Sequence, residues 1–241
     1  MSLPPTNGLM AQRQRQRTPS RPKKQPVFFT DQRIILLAVV SIVLFGAIWV
    51  VTRPQPGVHV ASGNGARAAG DYERAIAEYN RALQLDPQFV DAYHQRGLMY
   101  YQQADYVSAL ADLSRALELA PQNASIYASR ALTYTAQGDL AAAIADATKG
   151  IELDPTNAPS YYARGRAYIT SAEFEKAEAD LRRAVELDAS QADYHFWLGE
   201  AYYHLTRYAE ALESYRQYVS MAGSNDYVAR RIGELERRVG G

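Results

Sequence analysis

The 241-residue chain contains no cysteine. That excludes a disulfide framework, a thiol nucleophile and a thiolate metal site, and it fits either side of a membrane. Histidine is scarce: only His59, His94, His195 and His204 occur, and none are spaced to put two ligands on one helix face. There is no HExxH run, no GxSxG elbow and no glycine-rich phosphate loop. The abundant carboxylates mostly stand three or four residues from Arg or Lys, where solvated ion pairing along a helix is the ordinary reading. These absences argue against an enzyme, and they imply no cofactor and no metal.

Net charge is also lacking, with 26 basic and 26 acidic residues, but the balance hides an asymmetry. Residues 1–33 hold seven basic groups (Arg13, Arg15, Arg17, Arg21, Lys23, Lys24, Arg33) and one acid, Asp31. The remaining residues are therefore acidic in sum. An acidic body argues against nucleic acid as a partner, because phosphate neutralisation needs clustered Lys and Arg. The head, rich in Arg, Gln and Pro, has too little aliphatic surface to bury and is predicted to be a disordered basic tail over 1–33.

Long apolar runs are absent except for one. Residues 34–51 (IILLAVVSIVLFGAIWVV) carry no charge, and Ser41 is the one polar side chain among them. At about 1.5 Å per residue the run is long enough to cross a hydrocarbon core of about 30 Å. Arg33 and Arg53 bracket it, and Trp49 sits where an amphipathic ring suits the interface. The run is longer than a signal-peptide core and lacks a small-x-small cleavage site after it. A single transmembrane helix is predicted over 34–53. The basic head places the N-terminus in the cytoplasm and the rest outside it, in a bacterium the periplasmic side of the inner membrane.

Beyond the span the chain repeats itself every 34 residues. Gly70, Ala104, Gly138, Ala172 and Thr206 form one series; Tyr72, Tyr106, Leu140, Phe174 and Tyr208 form another; Ala75, Ala109, Ala143, Ala177 and Ala211 a third. Gly63, Gly97, Ala131, Gly165 and Gly199 keep the same step. Several series in register exclude coincidence. Each unit reads as two amphipathic helices around a turn, closed by Asp86-Pro87, Ala120-Pro121 or Asp154-Pro155. Small residues let helix backbones approach, and the prolines are expected to stop one helix and start the next.

Period, small residues, aromatics and terminal prolines together resemble the tetratricopeptide repeat (TPR) family from about Pro56 to Asn225. The resemblance implies an all-α, right-handed superhelical solenoid of five helical hairpins. The repeats are assigned as 56–89, 90–123, 124–157, 158–191 and 192–225 within a domain of 54–225, and 226–241 as a capping helix and tail. The glycine-rich start of the first hairpin predicts a weak leading helix. Arg96, Arg130 and Arg164 each have an Asp sixteen residues later (Asp112, Asp146, Asp180), while Leu198 is matched by Ser214. Partly buried ion pairs joining the two helices of a hairpin follow from that pattern.

The same resemblance implies proteins or peptides as partners, bound on the concave face lined by the first helix of each hairpin. The positions are Asn64, Arg67, His94, Leu98, Tyr101, Leu132, Thr135, Tyr162, Arg166, Ile169, Phe196, Glu200, Tyr203 and His204. The family's chaperone-binding carboxylate clamp is absent: Asn64 stands at one clamp place, but Val60, Gln95, Ser125 and Ser129 occupy the others. Three readings stay open: a membrane-anchored scaffold or assembly factor, an accessory subunit of a large membrane protein complex, and a module for glycan or lipid headgroups.

Overall fold

The structure, a computed structural model, describes residues 36–43 and 55–240. The chain divides into two units, 1–53 and 54–241. In the first, residues 36–43 are helical, with Leu36, Leu37, Ile42 and Val43 exposed. The rest of the expected 34–51 span lies outside the described residues, and among the described residues no helix is long and apolar enough to cross a membrane.

The second unit is a chain of helices: α1 (Pro56–Ala68), α2 (Tyr72–Leu85), α3 (Val90–Gln102), α4 (Tyr106–Leu119), α5 (Ala124–Gln137), α6 (Leu140–Leu153), α7 (Ala158–Thr170), α8 (Phe174–Leu187), α9 (Ala192–His204), α10 (Tyr208–Ala222) and α11 (Asp226–Val239). No strand occurs among the described residues. Each odd helix packs on the even helix after it and, as far as α9, on the next odd one, which makes the unit an all-α solenoid. α11 closes the stack on α10, burying Val228 and Leu235.

Two series of small residues do different work. Gly63, Gly97, Gly165 and Gly199 sit where a first helix meets its second: a Cβ on Gly165 would stand 2.7 Å from Leu181 Cγ, and one on Gly63 2.5 Å from Tyr79 Cε1. Close approach is the reason for those. At Gly70, Ala104, Gly138, Ala172 and Thr206 the reason is backbone conformation, since all five have positive φ (78°, 59°, 95°, 59° and 58°). Each ends an odd helix, and the next amide donates back to a carbonyl five residues earlier, as Asp105 N does to Tyr100 O at 2.9 Å. Asp71, Asp105 and Asp139 then cap the following helix through their side chains.

Thr206 is the residue least suited to such a turn, because a β-branched side chain resists the left-handed region. Thr206→Gly is expected to raise the thermal midpoint by about 2–4 °C, the equivalent of about 1 kcal/mol in a chain of this size. Circular dichroism melts read the shift, and Thr206→Ala gains less. A fall in the midpoint would count against strain at this turn.

Two expectations need correction. The prolines do not start the next helices: Pro87, Pro121 and Pro155 lie in the turns, and α3, α5 and α7 begin three residues later. In three turns the preceding aspartate supplies the geometry, with Asp86, Asp154 and Asp188 Oδ1 accepting from the amides of Gln88, Thr156 and Ser190. Asp188 therefore keeps the turn at Ala189, where the first three repeats have proline. The glycine-rich leading helix is not weak either: α1 runs its full length, because Val60, Gly63 and Ala66 bury against α2. Packing of that face outweighs the glycine cost in propensity.

Candidate partner-binding groove

The three arginine–aspartate pairs are formed, and they reach further than one hairpin. Arg130 donates through Nε and Nη2 to both Asp146 oxygens at 2.6 and 2.9 Å, and through Nη1 to Ser114 on the previous hairpin. Arg96 repeats this with Asp112 and Asn80, and Arg164 with Asp180 and Thr148. Each arginine thus ties the second helix of one repeat to the second helix of the next, and the bonded aspartate holds the guanidinium pKa above its ordinary value. Each arginine stands on an odd helix, and other faces of the odd helices line the groove.

On that face five of the expected residues meet around a cavity of about 340 Å³. Leu98 and Tyr101 of α3 form one wall, Leu132 of α5 the floor, and Tyr162 and Arg166 of α7 the other wall. Gln102, Ser129 and Asp193, missed in the sequence reading, complete the lining; Gln102 and Ser129 stand one turn from Leu98 and Leu132, where helical spacing already puts them, whereas Asp193 comes into reach only through the offset between repeats. Trp197 was missed for the same reason: it lies one position after Phe196, and its ring sits 4.6 Å below the Arg166 guanidinium. A second depression of about 300 Å³ joins Arg67 and Leu98 with Tyr72, Met99 and Gln102.

The remaining expected residues are engaged by the fold. Asn64 Oδ1 accepts from the buried Tyr79 hydroxyl at 2.8 Å. His94 Nε2 lies 2.9 Å from Ser129 Oγ, whose own proton goes to Ser125 O, so the imidazole is the donor. Burial lowers its pKa, which keeps it neutral at neutral pH. Thr135 donates to Ala131 O, and Ile169 packs into the core. Phe196 lies among Trp197, Tyr215, Tyr218 and Tyr227, and His204 stacks on Phe174 at 4.3 Å. Glu200 is buried, and one of its oxygens accepts from both Tyr215 and Tyr227. Tyr203 donates to Glu234 at 3.1 Å under the Arg231 guanidinium. Helix α11 therefore occupies this end of the face, and the open groove runs from α1 to the first turns of α9. Among the described residues no three His, Asp or Glu side chains gather to hold a metal ion.

Family models match along this array. One described as a TPR repeat covers 63–104, and three described as tetratricopeptide repeats cover 90–123, 124–157 and 162–226.

The chain belongs to the tetratricopeptide repeat family.

Repeats of this family are protein-interaction modules and typically non-enzymatic. Among solved structures, this TPR chain is similar to TTC0263, a thermophilic TPR protein of Thermus thermophilus, at 23% identity and a TM-score of 0.67, over 75% of this chain and 98% of that one. The pilF protein of Pseudomonas aeruginosa matches at 16% identity and 0.66, over 77% and 84%. The Cut9-Hcn1 hetero-tetramer of the APC/C matches at 16% identity and 0.73, over 83% of this chain but 40% of that one. These identities establish a shared fold. The search of curated proteins gives no match.

Proposed function

We propose that this TPR protein is a membrane-tethered scaffold that holds an extended segment of a partner protein in the groove between α1 and α9. The observation that carries the reading is the cavity of about 340 Å³ walled by Leu98, Tyr101, Leu132, Tyr162 and Arg166, a mixture of apolar floor, aromatic faces and one cation. Tyr and Arg dominate binding energy where they can be desolvated, and that composition suits a peptide better than a flat protein surface. The Cut9-Hcn1 hetero-tetramer, in which this fold occurs, is an assembly of different proteins. Tethering rests on the sequence: an uncharged run over 34–51 bracketed by arginines, with the basic residues before it. In that arrangement the N-terminus is cytoplasmic and the repeats face the other side of a bacterial inner membrane, where anchoring raises the partner's effective concentration.

Affinity purification from gently solubilised membranes tests this. Leu98→Ala with Tyr101→Ala suits the test better than changes at Tyr162 or Tyr203, which pack on Tyr194 and Glu234 respectively. A defined partner should fall about tenfold or more in recovery while far-UV circular dichroism is unchanged. Equal recovery with both proteins would sink the groove reading and move attention to the convex face or the span.

A further inference from the structure

Helix α7 carries two arginines that the fold treats differently. Each nitrogen of Arg164 has an acceptor: two Asp180 oxygens at 2.7 and 2.9 Å and Thr148. Arg166, two residues on, turns into the groove. Its Nη1 donates to the Tyr101 hydroxyl at 3.3 Å, and its guanidinium lies 4.6 Å over the Trp197 ring and 5.8 Å from that of Tyr162. Its Nε is buried and has no acceptor. Among the described residues no carboxylate forms an ion pair with it. Tyr101 accepts from Arg166, so its phenolic proton remains available to an acceptor, and both residues line the cavity.

We propose that Arg166, with Tyr101, is the docking point for a single Asp or Glu side chain within an extended partner segment; this rests on the groove reading above and names what the groove recognises. A desolvated guanidinium is costly unless its N–H groups are taken up. Stacking on aromatic rings satisfies its faces but not its edge. A planar carboxylate is the group that accepts two in-plane N–H bonds together. Leu98 on one wall and Leu132 on the floor offer apolar contacts for residues flanking the acid. Asp193, an exposed acid on the same lining, adds a negative charge that disfavours a run of acids or a dianionic phosphate. The segment therefore presents one acid between apolar neighbours.

The chain supplies its own reporter. Its two tryptophans are Trp49 and Trp197, so Trp49→Phe leaves Trp197 fluorescence to read the site in the full-length protein in detergent. The probes are three pools of acetylated octapeptides of Leu, Tyr, Ala and Gly: one with a central Glu and an amidated end, one with Gln instead, and one with Gln and a free C-terminal carboxylate. The Glu pool should bind at least about 30-fold more tightly than the Gln pool, the scale of losing one partner of a bonded charge pair. Arg166→Met should erase that difference. It should also leave the thermal midpoint of the empty protein unchanged or raised, since it removes an unpaired cation and keeps the alkyl packing on Trp197.

Equal binding of the Glu and Gln pools, lost together on Leu98→Ala with Leu132→Ala, overturns the acid preference and leaves the groove standing. Preference for the free C-terminus overturns the side-chain assignment. Absence of any binding that depends on Leu98 and Leu132 overturns both this proposal and the groove reading. An Arg166→Met midpoint that falls as far as that of Arg164→Met makes Arg166 a structural arginine and ends the proposal.

Discussion

Asp146→Ala is expected to destabilise the repeat array by about 3 kcal/mol, toward the low end of the range for breaking a buried ion pair. The Arg130 and Asp146 side chains are 19% and 13% exposed, which places them short of full burial. Truncation removes both acceptors of the fork and leaves a guanidinium held by Ser114 and flanked by the Tyr127 and Tyr134 rings at 5.8 and 5.9 Å. The loss comes from the stranded cation more than from the vanished attraction. Arg130→Leu combined with Asp146→Ser should therefore recover most of it, to within about 1 kcal/mol of the starting protein. The fifth repeat has already made that exchange, with Leu198 and Ser214 both buried at the equivalent places. Urea unfolding followed by circular dichroism compares the three proteins. If the double substitution is as unstable as Asp146→Ala alone, the desolvation account is wrong and the pair is worth its contacts outright.

The family and the helical pairs were legible because a solenoid writes its packing into a single period. A residue that must be small in one repeat must be small in the next, so register appears without any knowledge of three-dimensional contacts. The pairing of Arg96, Arg130 and Arg164 with aspartates sixteen residues on was legible for the same reason, since the fifth repeat loses both partners together. What the period could not distinguish was why a residue is small. Gly165 makes room for Leu181, whereas Ala104 and Thr206 hold positive φ, and both kinds recur at 34 residues.

The groove was legible as a face and illegible as a site. Helical spacing puts Leu98, Tyr101, Leu132, Tyr162 and Arg166 on it, and these meet. It puts Gln102 and Ser129 there too, one turn from Leu98 and Leu132, but says nothing of the offset that brings Asp193 and Trp197 of the next hairpin beside them. Nor does it foresee that α11, which has no counterpart in the repeat, would engage Phe196, Glu200 and Tyr203. Local period fixes direction along one helix; contacts between neighbouring hairpins depend on how far each advances past the last.

The second large effect tests whether the chain's volumes are matched repeat by repeat. Gly63, Gly97, Gly165 and Gly199 face Tyr79, Leu113, Leu181 and Tyr215, while Ala131 faces Ala147 within one core cluster. Wherever the first helix gives up its Cβ, the second presents a large side chain. Leu181→Ala, at a side chain with 0% exposure, should cost about 3 kcal/mol, since a methyl-lined void is left that two rigid helices cannot close. Gly165→Ala should cost about 1–2 kcal/mol in the intact protein, because a Cβ would sit 2.7 Å from Leu181 Cγ and 3.4 Å from the Ala177 carbonyl oxygen, so overpacking exceeds the helix-propensity gain. In the background already carrying Leu181→Ala the same change should reverse sign and stabilise by about 1 kcal/mol, filling part of the void and keeping the propensity gain. That double substitution copies the Ala131–Ala147 arrangement into the fourth repeat. Thermal and urea unfolding of the four proteins in the cycle measure the reversal directly. Additive losses would mean the helices slide to absorb the change, and that the glycines are there for some reason other than the side chains facing them.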